Sequence, residues 1–326
     1  MSNKFLVLDG AFAEELVRAH DLASIRADPL WGASCIRTHP AAIRAVHDDY
    51  IAAGAHVILT GTYQAAQDNL TRHMGISIAD AADLMRQGAE IALQSAAGVN
   101  VAVALSLGSY GATLSDGSEY NGSYVESLGG PEKARVALAD FHARRLRAYG
   151  PRVLARIAYL AFETIPCLVE IGAIADAIAQ VRRELLLDDA FPTAWIAVTC
   201  RSETEIGSQE LVADAAAAIA AAGHCFAVNC TPPGLITGIL ETVTRAVPQT
   251  RDRLIVVYPN KGESWDAVAR VWLEGTGLSD DQYAVVAETE WASYGGATNG
   301  LLIGGCCRTT PATIHALAAR WKARQQ

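Results

Sequence analysis

The chain has 326 residues, 51% of them hydrophobic and 19% charged, enough apolar material to bury a sizeable core and too much for a disordered segment. Its 26 basic and 35 acidic residues leave a formal net charge of −9, which argues against a nucleic-acid footprint and against anionic membrane surfaces.

The first apolar run, Phe5 to Leu8, is too short for a signal peptide and is broken by Asp9. The most apolar stretch, 91–107, carries Gln94, Ser95 and Asn100 and falls short of a membrane span, so a soluble, cytoplasmic protein is expected. From Phe5 onward eight short apolar runs recur: 5–8, 56–59, 101–105, 159–162, 194–198, 226–228, 254–257 and 301–303. Near-continuous apolarity fits parallel strands covered on both faces. Helical patterns fill the intervals at 41–53, 78–96, 132–148, 169–184, 208–222, 235–246 and 265–273. Eight strand–helix units, with no GxGxxG loop after the first strand, predict a (β/α)8 TIM barrel, a single domain over 1–326. The long segment between Gly108 and Gly130 is rich in aromatics and turn formers, as expected of a functional loop over the barrel mouth.

Barrel enzymes place their chemistry where the strands end. Here those ends read Asp9-Gly10, Thr60 to Gln64, Ser106 to Gly108, Glu163-Thr164, Thr199, Asn229-Cys230, Tyr258 to Asn260 and Gly305-Cys306-Cys307. Cys230, Cys306 and Cys307 therefore converge on one rim. Three thiolates make a soft site suited to Zn²⁺, and three protein ligands leave a position open for substrate. Neighbouring side chains of a strand point to opposite faces, so Cys306 and Cys307 meet one metal only where the backbone bends, which Gly304-Gly305 permits. Two other readings accompany this one: buried cysteines acting as small hydrophobes, and Cys306-Cys307 as a redox pair. Seven cysteines is an odd number without framework spacing, and reduced thiols are the expectation. Thr309 and Pro311 read as the cap and first turn of a last helix. The eight histidines fall away from the cysteines and read as structural or solvent-facing.

Gly304 to Pro311, Val228 to Thr231, Thr62 to Gln64, Asp116 to Tyr120, Phe162 to Pro166 and Tyr258 to Asn260, in that family's order, resemble the homocysteine S-methyltransferases. The resemblance runs from Asp9 to Ile314 and is most specific at the three cysteines. It implies a zinc-dependent barrel that moves a methyl group onto homocysteine sulfur to make methionine, with Cys230, Cys306 and Cys307 as zinc ligands. The pattern is similar to single-domain enzymes using S-methylmethionine or S-adenosylmethionine rather than betaine.

The chemistry agrees: the thiolate is the nucleophile, zinc removes its proton, and a sulfonium leaves as a neutral thioether without general acid. Asp9, Gly10, Glu163 and Asn229 are the expected substrate-binding residues, the two carboxylates for an α-amino group and Asn229 also as support for a zinc ligand. Tyr63 and Tyr110, with Trp291 as a further candidate, would face the donor's positive charge. Ser109, and Ala11 to Glu14, depart from the family's usual residues, which bears on donor preference. The alternatives are a methyltransferase for another small thiol or selenol, and a non-catalytic zinc barrel closed by a fourth ligand such as Cys200.

Overall fold

A computed structural model describes residues 5–187, 191–263, 265–266, 271–273, 275–294 and 300–324. Eight strands build the sheet: β1 (Phe5–Val7), β2 (Val57–Leu59), β3 (Ala102–Gly108), β4 (Tyr159–Ile165), β5 (Thr193–Val198), β6 (Cys225–Asn229), β7 (Ile255–Tyr258) and β8 (Leu301–Ile303). All eight predicted apolar runs are strands, and each pairs in parallel with its neighbours in the order β1-β8-β7-β6-β5-β4-β3-β2. The ring closes between Leu8 and Val57, where the Asp9 N–H donates to the Val57 carbonyl at 3.1 Å. The result is the expected (β/α)8 TIM barrel.

Period-two alternation divides the strand residues between two cores. Leu8, Ala104, Ala161, Trp195, Val256 and Leu302 belong to one cluster that plugs the barrel. Their neighbours Val7, Leu105, Leu160, Ile196, Val228 and Ile303 pack outward against the helices. No described helix is long and apolar enough to cross a membrane.

Five predicted helices appear at Pro40–Ala52, Ile78–Ser95, Leu168–Leu185, Val212–Ala221 and Ile236–Ala246. The one expected at 132–148 runs over Pro131–Leu154, but its regular part ends where predicted, because Gly150 takes φ +71° ahead of Pro151. Helices Phe12–His20 and Gln67–Met74 are absent from the predicted set; at nine and eight residues they are shorter than the window over which helical periodicity is read. The helix expected at 265–273 is corrected: where described, that segment pairs Trp265–Asp266 with Val271–Trp272 as a short antiparallel ribbon, as suits aromatic and β-branched residues. The helix after β7 is Asp280–Val286, set by a capping box between Ser279 and Gln282.

Candidate active site

Cys230 follows β6, and Cys306-Cys307 follows β8 after two glycines. Their three sulfurs lie within 4.8 Å of one another, and no other His, Cys, Asp or Glu among the described residues joins them. The bend that brings them together is not made at the glycines. Cys230 (φ +46°) and Arg308 (φ +70°) take the left-handed conformation. Gly304 and Gly305 serve close approach instead: a Cβ at Gly304 would stand 2.5 Å from the Asp9 carbonyl oxygen, and one at Gly305 2.3 Å from Thr309 Cγ2.

Thr309 is not a helix cap. Its hydroxyl donates to the Cys306 carbonyl at 2.6 Å and accepts from the Ala11 N–H at 3.2 Å, fastening the cysteine turn to the end of β1. Gly10 makes room for this, since a Cβ there would lie 2.8 Å from Thr309 Oγ1 and 2.9 Å from the Tyr50 hydroxyl.

The sulfurs of Cys230 and Cys306 lie within bonding reach of each other, with their Cα atoms 5.6 Å apart, and the Cys307 sulfur lies 4.0 Å from that of Cys306. Thiols gathered closely enough to share one cation are also close enough to pair on oxidation, and the reduced form expected from the sequence is the one that could hold a metal. The vicinal pair Cys306-Cys307 is not bonded. Cys35, Cys167, Cys200 and Cys225 are buried and free, and Cys200, though at a strand end, stays outside the sulfur cluster.

Burial pushes the Cys307 thiol up to about 12, and Glu14, Glu263 and Glu119 add to the effect through their negative charge. Arg308 holds two of these in place, with its N–H on a Glu14 oxygen and its guanidinium 3.5 Å from Glu263. Tyr120 and Glu119 come from the long loop after β3, so that loop does reach the rim; Glu14, Glu119, Glu263 and Tyr120 are contributors that sequence spacing does not single out. A thiol placed as Cys307 is, amid carboxylates, is poorly ionised by the protein alone, and a divalent cation held by the three sulfurs would supply the missing positive charge. The donor set thus fits Zn²⁺.

Two more carboxylates lie deeper in the mouth. Asp9 is 1% exposed; its Oδ2 accepts from the Leu59 N–H at 2.8 Å, while Oδ1 has no protein partner. Burial holds its carboxyl well above the usual range, against the Leu59 N–H and with help from the Glu163 charge. Burial likewise raises Glu163 to about 7, opposed by hydrogen bonds from Ser106 and Tyr258 and by the Arg145 charge. Tyr258 accepts in turn from the Trp195 indole N–H at 3.1 Å, so the barrel plug supports this carboxylate from below. Arg145 is 1% exposed and donates to the carbonyls of Gly108 (2.6 Å) and Tyr63 (3.1 Å).

Asn229 turns its amide onto Thr164, with Oδ1 accepting from the Thr164 N–H and Nδ2 donating to the Thr164 hydroxyl, both at 2.9 Å. The Tyr63 ring lies against Gly108, and its hydroxyl feels the charges of Glu119 and Glu163. Tyr110 instead packs edge-on against Tyr124 and Phe141, and Trp291 is fully buried against Tyr283.

The homocysteine S-methyltransferase family model matches residues 6–321. Homocysteine S-methyltransferase 2 of Zea mays is 36% identical over 335 residues, spanning 96% of this chain and 88% of that protein. Selenocysteine Se-methyltransferase of Brassica oleracea var. italica is 33% identical, spanning 98% and 90%. The metallated form of the Escherichia coli homocysteine methyltransferase MmuM superposes with a TM-score of 0.74 at 32% identity, covering 97% of this chain and 96% of that one. By sequence and by fold, the chain belongs to the homocysteine S-methyltransferase family.

Proposed function

We propose that the protein transfers a methyl group from a sulfonium donor, S-methylmethionine or S-adenosylmethionine, to the sulfur of homocysteine, giving methionine. The observation that carries this is the three-sulfur cluster, open to a fourth ligand, on a rim that also holds buried Asp9 and Glu163. Reduced Cys230, Cys306 and Cys307 are the residues that would hold Zn²⁺. When bound there, the metal would keep the acceptor thiol ionised at neutral pH.

Glu163 and Asp9 receive the ammonium group of the amino-acid acceptor. Each carboxyl is kept near neutrality by burial, and an incoming cation favours its ionised form. Ser106 and Tyr258 orient the Glu163 carboxylate. In the transfer, the acceptor sulfur forms a bond to the methyl carbon while the donor's sulfur–methyl bond breaks. The electron pair of that bond returns to the donor sulfur, which leaves as a neutral thioether and needs no proton. Glu14, Glu119 and Glu263 give the rim a negative field that favours a cationic donor, and Tyr63 and Tyr120, which feel the Glu119 charge, offer aromatic faces to it.

A second acceptor, a small selenol, would use the same groups, and the selenocysteine-methylating relative favours including it. The test is methyl transfer by the reduced, zinc-loaded protein to homocysteine and selenocysteine, with S-methylmethionine, S-adenosylmethionine and betaine compared and a chelated sample as control. Chelator-sensitive methionine formation is expected with a sulfonium donor. Alanine at Cys230, Cys306 or Cys307 should abolish zinc binding and turnover with the fold retained. Full activity in any one of the three would remove that cysteine from the metal site.

A further inference from the structure

β4 does not run regularly to its end. Its register with β5 shifts between Phe162 and Ile165, and Thr164 sits at φ +58°. A β-branched residue in the left-handed region is a costly conformation that persists only where its surroundings hold it. Asn229 does the holding. Its two hydrogen bonds to Thr164 lie between side chains that are 2% and 1% exposed, where water offers little competition.

The placement of this contact matters. Asn229 belongs to β6 and Thr164 to β4, with β5 between them, so the amide reaches across the end of a whole strand. The residue before Thr164 is Glu163, and the residue after Asn229 is Cys230. Cys230 is itself left-handed, and its flanks are fixed: Thr231 Oγ1 donates to the Asn229 carbonyl at 2.9 Å and accepts from the Cys200 N–H at 3.0 Å. On the far side, the Thr199 hydroxyl donates to the Cys230 carbonyl at 3.4 Å. Two strained positions, one beside the carboxylate and one in the sulfur cluster, are thus tied to each other by one side chain.

We propose that the Asn229–Thr164 contact is a clamp that fixes the span between Glu163 and the cysteine cluster, and so sets the length of the amino-acid thiol that fits. This rests on the reading that the cluster takes the acceptor sulfur and Glu163 its ammonium group. Homocysteine is one methylene longer than cysteine and than selenocysteine, so the clamp ranks both of these behind it; for one methylene a well-fitted site discriminates by ~10–200-fold. A carboxylate free to shift by the length of one bond would lose that discrimination. Asn229 and Thr164 are positioning residues; neither is assigned a contact with substrate.

The experiment reads binding without turnover. Reduced protein is loaded with Co²⁺, and the thiolate-to-cobalt absorption is followed as homocysteine or cysteine is added, in the native chain and in Asn229→Ala, Thr164→Gly and Thr164→Ser. The native protein should prefer homocysteine tenfold or more. Asn229→Ala and Thr164→Gly should cut that preference below threefold by weakening homocysteine, with cobalt stoichiometry unchanged. Thr164→Ser keeps both hydrogen bonds and should keep the preference. Thr164→Gly takes φ +58° without strain, so it carries the test should Asn229→Ala not fold. Native-like preference in either folded variant, or a native protein that does not distinguish the two thiols, overturns the clamp. Methionine formation is measured in parallel: its absence beside a preference that collapses in the variants would sink the methyl-transfer reading and leave the clamp standing.

Discussion

Glu163 shows how much one residue's surroundings decide. A glutamate free in water titrates near 4.3, whereas burial lifts this one to about 7 despite Ser106, Tyr258 and Arg145. Between those two values the folded protein keeps a proton that the unfolded chain has released. This contribution to stability is complete below the unfolded value and is lost as pH rises through about 7. Glu163→Gln removes the buried charge, so its melting temperature should gain on the native protein's as pH goes from 6 to 8; a constant difference would mean that the carboxyl does not titrate there. With Glu163 in its proposed role as receiver of the acceptor's ammonium group, homocysteine KM should fall through that window in the native protein, and in the glutamine variant it should be at least tenfold higher and flat. The gathering of Glu163, Asp9 and the cysteines at one rim was legible in the sequence because polar residues closing apolar strands are exceptions with few explanations. Asn229's partner was not, since Thr164 lies two strands away and no spacing connects them. Thr309 misled for a related reason: Thr shortly before a helix-starting Pro is a cap signal, while here close packing at Gly10 and Gly305 turns the hydroxyl onto Cys306.

At the level of elements, the loop between β3 and the helix Pro131–Leu154 is held by one buried carboxylate. Glu170, fully buried in the first turn of Leu168–Leu185, accepts from the Tyr110 N–H at 2.7 Å, from the Tyr124 hydroxyl and from His142 Nε2 at 2.9 Å. Tyr110 and Tyr124 bracket the stretch that carries Glu119 and Tyr120 to the rim. Glu170→Ala would strip three buried donors of their acceptor, at roughly 1–3 kcal/mol for each that stays unpaired. A loss of about 3 kcal/mol in urea unfolding is therefore expected, with faster amide exchange across 109–124 and a raised donor KM. A loss below about 1 kcal/mol would show that other acceptors replace it. None of this cage was readable beforehand. Tyr110 stands out in the sequence because it follows a strand end, whereas its packing against Phe141 depends on a helix some thirty residues on. Helix 265–273 failed differently: its apolar residues satisfied a helical spacing, but Trp and Val also suit a paired strand, and local pattern alone does not arbitrate.

For the whole molecule, the decisive fact is that the barrel is finished without its chemistry. The ring closes through Leu8 and Val57, its interior is filled by aliphatic side chains with Trp195 and Tyr258, and a second, larger cluster joins the strands to the helices. This architecture was legible because eight apolar runs at helix-sized intervals admit few other solutions, whereas the rim depends on side chains meeting from distant strands. The cysteines sit above that core, at the ends of β6 and β8, and a metal held there ties two loops together without nucleating a fold. A chelator applied to the reduced protein should therefore abolish turnover and leave far-UV circular dichroism and cooperative unfolding intact. A ligand that binds only the native state stabilises it by about 4 kcal/mol at a thousandfold excess over its Kd. With an unfolding entropy of about 2.1 cal/mol/K per residue, a chain of this size shifts by roughly 1.5 °C per kcal/mol, so the chelated sample should melt about 6 °C lower. Loss of cooperative unfolding on chelation would instead make the metal structural and favour the non-catalytic barrel. A small shift together with lost turnover is what an open, substrate-accepting site on a self-sufficient scaffold requires.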